Sequence, residues 1–151
     1  MHKRIFTDSR VVPAPAEQVF ALLADPARHS EFDGSGTVRK IVSGSGPMQL
    51  GSKFKMAMKL YGFPYKTTST VVEFDENRRI AWCHWGKNRW RYELEPVDGG
   101  TQVTESSDFT TSPAINRFMV AVAYTPESFQ TNIAATLDNL VARFSSGDSG
   151  D

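Results

Sequence analysis

Cysteine is nearly absent: Cys83 stands alone among 151 residues. An intramolecular disulfide is therefore excluded, and a zinc site would need His, Asp and Glu for nearly every ligand. No metal and no cofactor are expected. Net charge is lacking as well, since Lys plus Arg and Asp plus Glu balance at 17 each. That balance removes the general electrostatic pull toward nucleic acid or an anionic membrane, so no nucleic-acid partner is expected. Long apolar runs are missing too. The longest stretch without a charged residue, Ile41 to Ser52, is rich in Gly and Ser, which argues against a spanning helix of about 20 apolar residues and against integral membrane association. With no secretory signal pattern at the start, a cytoplasmic location is the default expectation.

Aromatic rings are what the chain has in excess, with Phe 10 times, Tyr 4 and Trp 3. A length of 151 residues suits one domain of roughly 100–200. The expected organisation is a single domain over 1–145 with a disordered tail over 146–151. The rings either fill its core or line a pocket.

The first twelve residues read as a strand ending at Pro13. Pro15 and Glu17 open a helix with an apolar face of Val19, Phe20, Leu22 and Leu23, and Asp25-Pro26 stops it and caps a second short helix to Phe32. Strands follow. Thr37–Val42 is short, 43–47 is a loop, and 52–60 alternate with Phe54, Met56, Met58 and Leu60 on one side. A turn at Tyr61–Tyr65, Thr67–Phe74 as a returning strand with Val72 and Phe74 inward, and a turn at Asp75–Asn77 come next. Ile80–Trp85 and Arg89–Glu95 form a hairpin through Gly86-Lys87-Asn88. A three-residue loop puts His84 opposite Trp90, Trp82 opposite Tyr92 and Ile80 opposite Leu94, with all large apolar groups on one face. In the last strand, Thr101 to about Thr110, Val103, Glu105, Ser107 and Phe109 share a face. The period then turns helical: Ile115, Phe118, Met119 and Val122 form one stripe, a break falls near Thr125, and Phe129, Ile133, Leu137, Leu140, Val141 and Phe144 continue it.

An α+β order of this kind buries one face of the sheet against the last helix. The segment Val12-Pro13-Ala14-Pro15-Ala16-Glu17-Gln18-Val19-Phe20, running to Asp25-Pro26, resembles the opening signature of the START-like (SRPBCC) superfamily of helix-grip proteins. That superfamily includes polyketide cyclase and dehydrase homologues and lipid-transfer domains. Arg78-Arg79-Ile80-Ala81-Trp82 resembles its mid-sheet strand, and Pro126–Phe144 its gripping helix. The resemblance implies a curved antiparallel sheet of about six or seven strands wrapped on a long C-terminal helix, with two short helices after the first strand. It also implies a cavity between sheet and helix that takes a hydrophobic small molecule such as a lipid or polyketide.

Under that fold the candidate ligand-binding residues are Phe54, Met56, Met58, Trp82, His84, Trp90, Tyr92, Glu105, Phe109, Phe118, Met119, Val122, Phe129 and Ile133. This is an apolar set with a few polar groups to orient a ligand. His84 and Glu105 are the ionisable side chains that the register points inward from the strands, and in an enzyme of the cyclase, aromatase or dehydratase type they would be the catalytic acid/base pair. A third reading is a non-catalytic interaction module, since related folds assemble as dimers, and a homodimer belongs to that reading. The basic span from Arg78 to Arg91 offers such a module a positive patch for an anionic partner, or else pairs with Glu73, Glu93 and Glu95 across strands. The rings of 61–65 either close a cavity mouth or fold back against the helix. Gly34-Ser35-Gly36 lacks the flanking elements of a phosphate loop.

Overall fold

The computed structural model describes residues 4–34, 38–44, 47–84 and 87–145. Strand β1 (Ile5–Val12) runs into helix α1 (Ala16–Leu23) and a 3₁₀ turn (Pro26–Glu31). Six more strands follow: β2 (Val38–Ser43), β3 (Lys53–Leu60), β4 (Phe63–Asp75), β5 (Arg79–Cys83), β6 (Arg89–Val97) and β7 (Gly100–Asp108). Helices α2 (Ala114–Ala123) and α3 (Pro126–Ser145) end the described chain. The seven strands form one antiparallel sheet in the order β1-β7-β6-β5-β4-β3-β2. Helix α3 lies on its concave side and buries Phe129, Ile133, Thr136, Leu137 and Leu140, the spacing of one helical face. This is the helix-grip architecture that the sequence predicts.

Local chemistry explains the first corner. Pro15 takes the N-cap position of α1 in an extended conformation, and Asp25 accepts from the Ala27 amide at 3.1 Å to start the 3₁₀ turn. In that turn Pro26, His29 and Phe32 are buried, the three-residue period of a 3₁₀ segment. Its exit is tied to α3, where the Gly34 amide donates to Thr136 Oγ1 at 2.9 Å. A Cβ on Gly34 would collide with the Thr136 backbone nitrogen and the Ala135 side chain. Gly34→Ala is therefore expected to cost roughly 1–3 kcal/mol by overpacking, read as a lower denaturation midpoint at unchanged m-value.

Three local expectations are corrected. The β3–β4 connection is a two-residue turn, with Leu60 paired to Phe63, not a five-residue turn over 61–65. Tyr61 and Gly62 both take positive φ, 51° and 83°, the hairpin geometry that matches strand twist. In the β5–β6 hairpin Trp82 pairs with Trp90 and Ile80 with Tyr92, a shift of two residues from the predicted register. A shift of two conserves which face each side chain takes, so the apolar face survives the longer loop. Trp85 and Gly86 in that loop lie outside the described residues, as do Ser35–Thr37 and the predicted tail over 146–151. In β4 the inward residue is Val71, not Val72, because a bulge between Val71 and Glu73 switches the alternation partway along the strand. Phe74 then faces inward as expected, edge-on to Phe20 at 5.6 Å.

The convex face carries basic residues, and three of them, Arg79, Arg89 and Arg91, are paired. Glu73 receives Arg91 at 2.7 Å, Arg89 at 2.8 Å and Arg79 at 3.7 Å, and Arg91 also reaches Asp108 at 3.1 Å. The hydrogen bonds from Arg91 lead in holding the Glu73 carboxyl down at about 2, against a smaller opposing push from burial. Within this span, pairing across strands forms at Arg79, Arg89 and Arg91, with Glu73, Glu93 and Asp108 as the acids.

Candidate functional site

A cavity of about 140 Å³ lies between the concave sheet and the helices, on the order of ten times what one water requires. Its sheet wall is built by alternation. β3 supplies Phe54, Met56 and Met58, β4 supplies Tyr65, Thr67 and Ser69, β5 supplies Trp82, β6 supplies Trp90 and Tyr92, and β7 supplies Glu105. His84 and Asn88 line it from the β5–β6 connection, while His29, Phe32 and Asp33 line it from the 3₁₀ turn and its exit. The helical roof is Val120 of α2, Tyr124 of the α2–α3 corner, and Phe129, Asn132 and Thr136 of α3.

The rings are mutually packed. His29 stacks on Trp82 at 4.7 Å, and Phe54 and Tyr92 sit 5.8 and 5.6 Å from the same indole. At the other end Phe129 touches Phe6, Phe109, Tyr124 and Trp90, with centroids 5.3 to 6.0 Å apart. Polar groups interrupt this lining at a few points. The Tyr92 hydroxyl donates to the Glu105 carboxyl. Asn88 Nδ2 donates to Ser107 Oγ at 3.1 Å, and His29 Nε2 lies 2.9 Å from the Leu23 carbonyl oxygen. Two buried side-chain oxygens, Glu105 Oε1 and Asn88 Oδ1, have no hydrogen-bond partner among the described residues.

Burial sets the protonation states. Glu105 is 3% exposed; desolvation, helped by nearby Asp33, pushes its carboxyl up to about 8 against the opposing bond from Tyr92. Burial drives His29 and His84 the other way, each down to about 4. At neutral pH the wall therefore presents a protonated carboxyl and two neutral imidazoles.

Comparison with known proteins gives the setting. The family described as polyketide cyclase / dehydrase and lipid transport matches residues 3–145. The chain belongs to that family. Uncharacterized protein Rv0088 of Mycobacterium tuberculosis is 40% identical over 139 residues, covering 90% of this chain and 62% of the relative. The chain thus spans under two thirds of that curated relative's length. Protein CV1439 from Chromobacterium violaceum superposes with a TM-score of 0.72 at 20% identity, covering 94% of this chain and 98% of the other. The Polyketide_cyc-like protein Cgl2372 from Corynebacterium glutamicum gives a TM-score of 0.59 at 29% identity, covering 95% and 91%.

Within this polyketide cyclase and lipid transport fold, nine of the residues singled out from sequence come together on the cavity wall: Phe54, Met56, Met58, Trp82, His84, Trp90, Tyr92, Glu105 and Phe129. Phe109 and Ile133 are fully buried but lie in the packed core and do not line the cavity. Phe118, Met119 and Val122 are displaced outright, at 67%, 50% and 75% exposed. Helix α2 does carry Ile115, Phe118, Met119 and Val122 on one apolar stripe, but that stripe faces outward, and the helix meets the cavity through Val120 instead. Tyr61 and Phe63 at the β3–β4 turn are also exposed, while Tyr65 lines the cavity and hydrogen-bonds Tyr124 of the roof. His29, Asp33 and Asn88 were missed. Strand alternation cannot reach residues in turns, although Pro26, His29 and Phe32 at a spacing of three carry a readable 3₁₀ stripe. Among the described residues no group of three metal-ligating side chains occurs, and no helix is long and apolar enough to cross a membrane.

Proposed function

We propose that this domain binds a hydrophobic or aromatic small molecule, a lipid, a polyketide or a compound like them, in the cavity between sheet and helices. The observation that carries the reading is the cavity itself: about 140 Å³ walled by rings and methionines, with a few buried polar groups among them. Two methionines in β3 give that wall adaptable side chains. The test is a thermal-shift and native mass spectrometry screen with neutral hydrophobic probes, beginning with Nile red. A ligand at about a hundred times its Kd adds roughly 2.7 kcal/mol to stability, a rise in Tm of roughly 5–10 °C. Ser69→Phe, which pushes a ring into the cavity from β4, is expected to weaken binding roughly tenfold or more. Equal binding by this variant would move the site elsewhere.

A second reading, an enzyme of the cyclase or dehydratase type, is favoured by one observation. Glu105 and His84 line the same cavity with titrations pushed apart to about 8 and about 4, the pattern of a resident acid and a neutral base. Loss of turnover in both Glu105→Gln and His84→Ala, with ligand binding retained, would establish it. Unchanged turnover in either would remove that residue from the chemistry.

A further inference from the structure

The two unpartnered oxygens belong to side chains that line the same cavity. On β7, Glu105 pairs with Tyr92 across the sheet and Ser107 pairs with Trp90, so the two β7 residues share a face one pleat apart, about 7 Å along the strand. Asn88 donates through Nδ2 to Ser107 Oγ and lines the same cavity as Glu105. Both side chains are buried, at 1% exposed for Asn88 and 3% for Glu105. Buried polar atoms are nearly always paired, and a ligand entering this cavity can supply the partners that these two oxygens lack.

We propose that Glu105 and Asn88 make the cavity selective for uncharged ligands carrying a carbonyl together with an O–H or N–H group, and selective against carboxylates. This inference rests on the cavity being the binding site. Because the carboxyl of Glu105 already accepts from Tyr92, its protonated Oε1 is left to donate to a ligand carbonyl. Asn88 Oδ1 accepts from the ligand's donor. Anions meet the opposite environment. None of the described lining residues is Lys or Arg, both carboxyl-bearing ones, Asp33 and Glu105, face an incoming carboxylate, and the two histidines are held neutral by burial. A carboxylate entering there loses its hydration and gains no counter-charge.

Three probes of similar size separate the terms: a hydroxytetralone with its hydroxyl on the aromatic ring, the hydrocarbon tetralin, and naphthoate. Isothermal titration at pH 7 is expected to give hydroxytetralone roughly tenfold tighter than tetralin, from one or two net hydrogen bonds. Naphthoate is expected to bind at least roughly tenfold more weakly than hydroxytetralone. Glu105→Leu should erase the preference for hydroxytetralone while keeping tetralin binding, which also shows that the variant is folded. Glu105→Gln, isosteric and uncharged, should keep the preference. If tetralin binds but naphthoate matches or exceeds hydroxytetralone, or if Glu105→Leu retains the preference, the selectivity is overturned and the binding reading stands. If none of the three nor Nile red binds, both fall.

Discussion

Glu105→Gln is expected to raise the free energy of unfolding by roughly 2–4 kcal/mol at pH 8 and to leave it nearly unchanged at pH 4. The cause is a carboxyl held at about 8 in the folded protein against an ordinary value of 4.5. Below 4.5 both states hold the proton and the group is neutral in its effect. As pH rises from 4.5 the unfolded chain releases the proton while the folded chain keeps it, so stability drains away until about pH 8, where the folded state ionises as well. Glutamine keeps the shape and has no proton to lose, so the alkaline loss disappears. His29 and His84 act with the opposite sign, since their folded values near 4 lie below the ordinary 6.5. Their contribution is complete above 6.5 and is lost as pH falls toward 4, with Glu73 following from 4.5 down to about 2. Together these groups place maximum stability near pH 6.5. Urea titrations of both proteins from pH 4 to 9 would read the curves directly, and parallel curves for wild type and variant would refute the raised carboxyl.

Phe129→Ala is the most damaging single truncation expected, at roughly 3–5 kcal/mol and a fall in Tm on the order of 10 °C. Its ring is 3% exposed and closes four aromatic contacts, to Phe6, Phe109, Trp90 and Tyr124. It also sits in the first turn of α3 and on the cavity roof, so its loss enlarges the cavity and loosens the corner that carries Tyr124. Phe129→Leu, which refills most of the volume, is expected to cost well under half as much. Differential scanning calorimetry of the pair checks this, and equal losses would show that ring contacts matter less than position.

What the sequence made legible follows from symmetry. Alternation in β3, β5, β6 and β7 fixes a side chain's face without fixing its partner, which is why Trp82, Trp90 and Tyr92 reached the cavity despite a hairpin register wrong by two. A bulge breaks that rule, and Val72 was misplaced because nothing in Thr67–Phe74 announces one. Helical period identifies the apolar stripe of a helix without saying what that stripe faces. In α3 the stripe faces the sheet, so Phe129, Ile133 and Leu137 were placed inside; in α2 it faces outward, and Phe118, Met119 and Val122 fell on the water side. Turns carry no period, so Asn88 and Asp33 were out of reach. Glu105 was readable because it interrupts an apolar face in mid-strand.

The most direct measurement of the central claim is methyl NMR of the protein labelled at its five methionines during titration with a neutral aromatic ligand. Met56 and Met58 line the cavity, Met48 is buried away from it, and Met119 is half exposed on the outer side of α2. Saturable shifts at Met56 and Met58, with Met48 and Met119 nearly still, are the result predicted for a ligand held between sheet and helices. Shifts confined to Met119, or none at Met56 and Met58 under saturating ligand, would contradict it.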